Sequence, residues 1–272
     1  LPEPAITMQH NVLSRILLTL LAAAWCAAAH AQTPANPVQP WGTWFIGTVQ
    51  LPGNATHKFG GFAEVQARTN GLFKQYFYNE LKAGGSYDID PNFTVTIAGG
   101  RYSTSDYRDL DAPPLNTEKR LWEQLTLTQY SKRLKLEHRY RIEQRWFNFR
   151  DDSTGFRQRF RYRLNAFLPL NNTTISAGTV FLAAYNEIFL NPKGPVFERN
   201  RVYGGVGYQV NSHVAVQIGY VNQANYNYTA RQGQFILQNT AAKNNIVMAF
   251  TYRIIRPSTT LPAVEKLPSQ QD

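Results

Sequence analysis

Cysteine is nearly absent from this chain: Cys26 is the one example in 272 residues. A disulfide framework is therefore excluded. Beyond Ala31 no segment approaches the ~18 consecutive apolar residues that a membrane-spanning helix needs. If that part of the chain enters a bilayer, it does so as strands. Amphipathic helices of useful length are missing, and no short repeat recurs. Acidic residues are outnumbered 18 to 28 by lysine and arginine, which leaves a net charge of +10. His57 and His213 sit in turn-like segments without flanking ligands at metal spacing, so neither a metal nor a cofactor is expected.

What is present starts with an export signal. From Met8, Arg15 precedes the apolar run Ile16–Leu21, and Ala29-His30-Ala31 supplies a small-residue cleavage site. Residues 1–31 are read as upstream sequence plus a secretory signal peptide. Trp25 is too large for the small residue that lipidation at Cys26 requires. Residues 32–40 form a proline-punctuated spacer, 41–256 the folded domain, and 257–272, with Pro257, Pro262 and Pro268, a disordered periplasmic tail.

Period-two counting finds eleven strand-like segments: 41–51, 58–69, 75–87, 93–103, 119–131, 134–147, 156–169, 173–188, 200–210, 214–226 and 240–255. Many match the ~9–11 residues of a tilted transmembrane strand. Short connections (88–92, 131–133, 170–172, 211–213) alternate with longer ones (104–118, 148–155, 190–199, 227–239), as in bacterial outer-membrane barrels. Such barrels are usually even-numbered and antiparallel, so the count is expected to resolve to ten or twelve.

The faces carry the chemistry. Residues 156–164 read FRQRFRYRL, which lines up Arg157, Arg159, Arg161 and Arg163 on one side. In 134–147, Lys135, Glu137, Arg139, Arg141, Glu143 and Arg145 share one face, opposite Leu136, His138, Tyr140, Ile142 and Trp146. An arginine facing lipid at mid-bilayer costs roughly 2–4 kcal/mol. The arginines therefore face inward, to meet Glu137 and Glu143 and, across the lumen, Glu64 or Glu80. Eight bases face two acids on these two strands, so either other acids compensate or a positive field remains, which favours anions. Aromatics gather near strand ends (Tyr76, Phe77 and Tyr78; Trp146, Phe147 and Phe149; Tyr226 and Tyr228), as at membrane interfaces.

LEHRYRIEQRW, the Trp41-Gly-Thr-Trp44 strand, the Glu64…Arg68 strand and RQRFRYRL together resemble an uncharacterised Gram-negative exported family, domain of unknown function 2490. The resemblance implies an outer-membrane β-barrel and no established activity, so no functional residues carry over.

The expected fold is all-β: a single antiparallel transmembrane barrel of about 10–12 strands with a charged lumen. The expected function is that of a monomeric barrel with a narrow or plugged lumen, structural or ligand-binding, or passing small anionic solutes. Its expected partners are outer-membrane lipids and lipopolysaccharide, the barrel-assembly machinery (through Phe250, Tyr252 and Ile254) and small anions. Nucleic acid is not expected for an exported chain. Two alternatives stay open. One is a phospholipase-like enzyme using His138, although its same-face neighbour is Tyr140 rather than serine. The other is a soluble periplasmic barrel that binds a lipid or another anion. Asp106, Asp109 and Asp111 offer too few ligands for calcium, and Tyr203-Gly-Gly-Val-Gly207 reads as small residues that ease crowding rather than a phosphate loop.

Overall fold

The structure is a computed structural model, and it describes residues 38–256. The expected signal peptide, most of the proline-rich spacer and residues 257–272 lie outside the described residues. Eleven strands follow in order: β1 (Trp41–Leu51), β2 (Phe59–Asn70), β3 (Tyr76–Asp88), β4 (Phe93–Thr104), β5 (Asn116–Ser131), β6 (Leu134–Phe149), β7 (Thr154–Pro169), β8 (Thr179–Leu190), β9 (Phe197–Gln209), β10 (Val214–Arg231) and β11 (Gln234–Arg253). Each pairs with its neighbour in sequence, and β1 pairs with β11 to close a barrel.

The expected ten or twelve strands are corrected to eleven. Consecutive pairs are antiparallel, whereas the closing pair β1–β11 is parallel, with Trp41 opposite Asn244 and Gln50 opposite Arg253. The reason is geometric. In an up-and-down meander with an odd strand count, the first and last strands run the same way, and the seam can form only with the parallel hydrogen-bond pattern. It follows that β1 starts at one end of the barrel and β11 finishes at the other.

The connections also differ from expectation. Residues 227–239 are not a long loop: β10 and β11 continue through them as a ribbon closed by Gln232 (φ 48°) and Gly233 (φ 76°). Positive φ at both central residues is the hairpin turn whose twist matches the flanking strands. The ribbon outruns its neighbours, since β9 stops pairing at Arg199–Asn225 and β1 at Trp41–Asn244. Conversely, 170–178 is a longer connection than expected because β8 begins only at Thr179. The end that carries the ribbon also carries the 105–115 connection and is termed the ribbon end; β11 finishes at the carboxyl end.

Period-two alternation holds around the wall. Facing outward in register, Leu168, Leu182, Val206, Ile218, Met248 and Phe45 form an apolar row across β7 to β11 and β1. All six are exposed, Ile218 by 56%. Facing inward, Glu64, Lys82, Arg139, Arg141, Glu143, Arg163 and Glu187 are each at most 2% exposed. Polarity is thus inverted relative to a soluble protein, whose charged groups face water and whose apolar groups fill the interior.

Candidate functional site: the arginine-rich interior

The register of β6 and β7 places Arg139 opposite Arg163, Arg141 opposite Arg161, Glu143 opposite Arg159 and Arg145 opposite Arg157. Three of these four rungs are like-charged, which is unfavourable for directly opposed pairs. Carboxylates from outside the two strands resolve the conflict. Glu187 of β8 stands in register between Arg163 of β7 and Arg201 of β9. Its carboxylate accepts from Arg139 and Arg163 at 2.7 Å and from Arg161 Nε at 2.9 Å, and lies 3.6 Å from Arg201. Glu143 takes Arg159 at 2.6 Å and Arg161 at 2.7 Å, with Arg120 and Arg141 each at 3.6 Å. Arg161 joins the two carboxylates. Towards the ribbon end Glu118 accepts from Arg120 at 2.6 Å and Arg145 at 2.8 Å, and Glu198 accepts from Arg159 at 2.8 Å.

Glu64 and Glu80 share a lysine, and Glu80 does not reach the ladder, contrary to expectation. Lys82, beside them on β3, holds both at 2.5 Å, and Arg68 lies 3.8 Å from Glu80. Glu137 also stays off the ladder. The register sets Asn165 opposite it, and it accepts from Lys135 at 3.1 Å and Asn165 at 3.3 Å. Those carboxylates are matched locally, whereas the connected cluster sets nine guanidiniums (Arg120, Arg139, Arg141, Arg145, Arg159, Arg161, Arg163, Arg199 and Arg201) against four carboxylates (Glu118, Glu143, Glu187 and Glu198). Guanidiniums outnumber carboxylates in this cluster. Arg157 is on the inward face but exposed at the mouth, 5.3 Å from the Phe147 ring.

Aromatic rings fill the space between guanidiniums. Phe189, flanked in register by Arg161 and Arg199, has Arg159, Arg161, Arg199 and Arg201 at 4.6 to 5.5 Å from its centroid. Arg120 lies 3.7 Å from the Tyr102 ring, Arg141 4.9 Å from Trp122 and Arg163 4.2 Å from Tyr185. A guanidinium is weakly hydrated and stacks on ring faces, so it suits a desolvated wall better than lysine does.

A cavity of about 180 Å³ lies at the ribbon end, lined by seven arginines (Arg68, Arg120, Arg145, Arg159, Arg161, Arg199 and Arg201), by Glu118, and by Tyr78, Thr104, Asn116 and Phe147. Towards the carboxyl end a second cavity, of about 10 Å³, is lined by Asn165, Phe167, Ala183, Ala184, Tyr185, Tyr203 and Gln217. That is about the space of one water.

The remaining sequence candidates fall elsewhere. His138 is on the outer wall, half-buried, with Nδ1 at 2.9 Å from the Tyr162 hydroxyl and Leu127 and Leu164 as register partners. No serine adjoins it in that register. Asp106 and Asp109 cap their own turn by accepting the amides of Arg108 and Ala112. Among the described residues no group of three His, Cys, Asp or Glu side chains is placed to hold a metal. Gly205 and Gly207 make room for rings: a Cβ at Gly207 would meet Phe181 at 2.2 Å, and one at Gly205 would meet the Tyr203 hydroxyl at 2.3 Å. Asp151, in the exposed β6–β7 turn, has its carboxyl held below its ordinary range by the Ser153 hydroxyl and amide.

Glu187, Glu198, Phe189, Arg199, Arg201, Arg120 and Trp122 were not singled out by the sequence. Glu187 is a single acid in FLAAYNEIFL, and the Glu198…Arg201 run begins before the predicted strand. The usable signal was parity: Phe181, Tyr185, Glu187 and Phe189 share one face.

No curated protein and no solved structure matches the chain. The family model described as protein of unknown function (DUF2490) matches residues 41–234, which span the barrel from β1 to the turn of the ribbon, and the chain belongs to that family.

Proposed function

We propose that this protein is an outer-membrane β-barrel whose bore is closed by its own arginine–glutamate network, and that it works as a binding or structural barrel rather than a free-flowing pore. The observation that carries this reading is the inverted polarity of the wall: an exposed apolar row outside, and charged groups at most a few per cent exposed within. Soluble monomers rarely expose such contiguous apolar surface, whereas hydrocarbon requires it. Among the described residues no helix is long and apolar enough to cross a membrane, and a closed barrel crosses without one.

The closed bore is supported by what occupies it. Arg161 bridges Glu143 and Glu187, and Phe189, Trp122 and Tyr102 fill the gaps. An excess of guanidinium charge directs any ligand or leak towards anions. The ribbon end faces outward and the carboxyl end the periplasm, in keeping with the longest connections of outer-membrane barrels. Arg101 and Lys119, direct partners on the outer wall of β4 and β5 near the ribbon end, then lie where lipopolysaccharide phosphates are found.

Conductance across a planar bilayer, measured on the refolded full chain, tests this reading. The expected result is silence, or rare small steps, at ordinary salt. A sustained anion-selective current that changes in Arg161→Ala establishes a pore instead. Recovery of the exported chain as a detergent-free monomer removes the membrane assignment.

A further inference from the structure

The ribbon-end cavity is more than a gap in the plug. Two of its arginines have donors that the barrel leaves over. Arg145 gives Nε and Nη2 to Glu118 at 2.8 and 3.0 Å, and its Nη1 is 4.0 Å from Glu198, beyond hydrogen-bonding reach. Arg199 gives Nε to Asn225 Oδ1 at 2.7 Å, and its Nη2 is 3.9 Å from Glu198. Both line the cavity, and both retain some access to water, at 12% and 25% of their side-chain surface. Among the described residues their spare donors meet no acceptor within bonding distance.

From these facts we infer that the cavity is a binding site for a phosphate group, entered from the ribbon end. The inference deepens the closed-bore reading and rests on it, because a dead-end cavity retains an anion that an open bore passes on. Phosphate fits for three reasons. A guanidinium fork matches two oxygens of one phosphate, and two forks from separate strands match a tetrahedral dianion better than a planar carboxylate. Seven arginines and one glutamate line the cavity, so a dianion lowers the repulsion among guanidiniums that are already desolvated. A volume of about 180 Å³ lies below the 300–1,000 Å³ of a drug-sized pocket. It admits a phosphate and its waters, but no large organic body. Arg157, exposed at the mouth, adds charge along the way in.

The phosphate can be free or a lipid headgroup. The test titrates the refolded full chain in zwitterionic detergent, at constant ionic strength, with inorganic phosphate and separately with a short-chain phosphatidic acid below its micelle concentration. Sodium chloride serves as the screening control. The expected result is saturable one-to-one binding that Arg145→Gln and Arg199→Gln each weaken at least tenfold and outer-wall Arg101→Gln leaves unchanged. Binding of inorganic phosphate assigns the free anion; binding of the phosphatidic acid alone assigns a headgroup. Heat-modifiable gel mobility reports folding. If Arg145→Gln does not fold, Arg199→Lys decides, since it keeps the charge, loses the fork and is expected to bind less. Lack of saturable binding by either ligand, equal binding of chloride, or full affinity in the folded variants overturns the inference. The conductance result is independent: a phosphate-blocked current refutes the closed bore and keeps the site, whereas silence without binding keeps the closed bore and refutes the site.

Discussion

The inner wall of the barrel has an apolar sector and an ionic one, both built on strands with the same alternation. Trp44 and Ile46 of β1, Phe181 and Tyr185 of β8, Tyr203 of β9, Val221 of β10, and Val247 and Ala249 of β11 pack together as one buried cluster. Across β5 to β9 the equivalent inward positions hold guanidiniums and carboxylates. The apolar sector gains from shape: Tyr185 and Tyr203 stack at 4.9 Å, and Gly207 yields its side-chain volume to Phe181. The contacts among these apolar side chains are short-ranged and replaceable by another apolar group of similar size. The ionic sector gains from completeness. Each buried charge is tolerable only while its partners remain, because desolvation of an unpaired ion exceeds what one hydrogen bond returns. One interior thus has a sector that degrades gradually and a sector that fails by steps.

Glu187→Gln should widen that contrast most. It leaves Arg139, Arg161 and Arg163 without the carboxylate they share. A loss of roughly 3–5 kcal/mol is expected, the usual effect of breaking a buried pair from one side. Urea titration of the folded fraction in detergent measures it, and a loss under ~1 kcal/mol would mean that the network is far more solvated than its burial implies.

A smaller effect is expected in the apolar sector. Gly207→Ala drives a methyl into the Phe181 ring and should cost roughly 1–3 kcal/mol by overpacking. Replacing Phe181 by Leu in the same chain should return part of that loss, because the clash is steric. Failure of this rescue would show that the glycine is needed for its backbone instead.

The smallest effect belongs to Arg157→Gln. This arginine sits on the same face as Arg159 but is exposed at the mouth. Stability should change by less than ~0.5 kcal/mol, as at most surface positions. A large change would move Arg157 into the buried network and erase the boundary between ladder and mouth.

The legible part of the sequence was the part governed by local periodicity. RQRFRYRL could only put its arginines on one face, and that face is the inner one. The strand boundaries of β1 and β4 to β7 fall within a few residues of those expected, since alternation and turn residues fix them locally. The ribbon was misread because Asn227–Asn239 carries turn-rich polar residues, yet β10 and β11 pair through it with a shift at Asn227–Tyr228. Glu80 was misassigned for another reason. Alternation says which face a carboxylate occupies, but not which arginine lies beside it.

By itself the sequence determined an all-β chain, a two-faced wall and the gathering of the guanidiniums on one of its faces, because side-chain direction in a strand follows from counting by two. The tertiary structure alone decided the parallel seam between β1 and β11, the pairing of Glu187 with arginines from β6, β7 and β9, and the gathering of seven arginines around one cavity. Those are matters of register and closure. They join residues far apart in the chain, and they depend on the shift between strands that only the completed hydrogen-bond ladder around the barrel specifies.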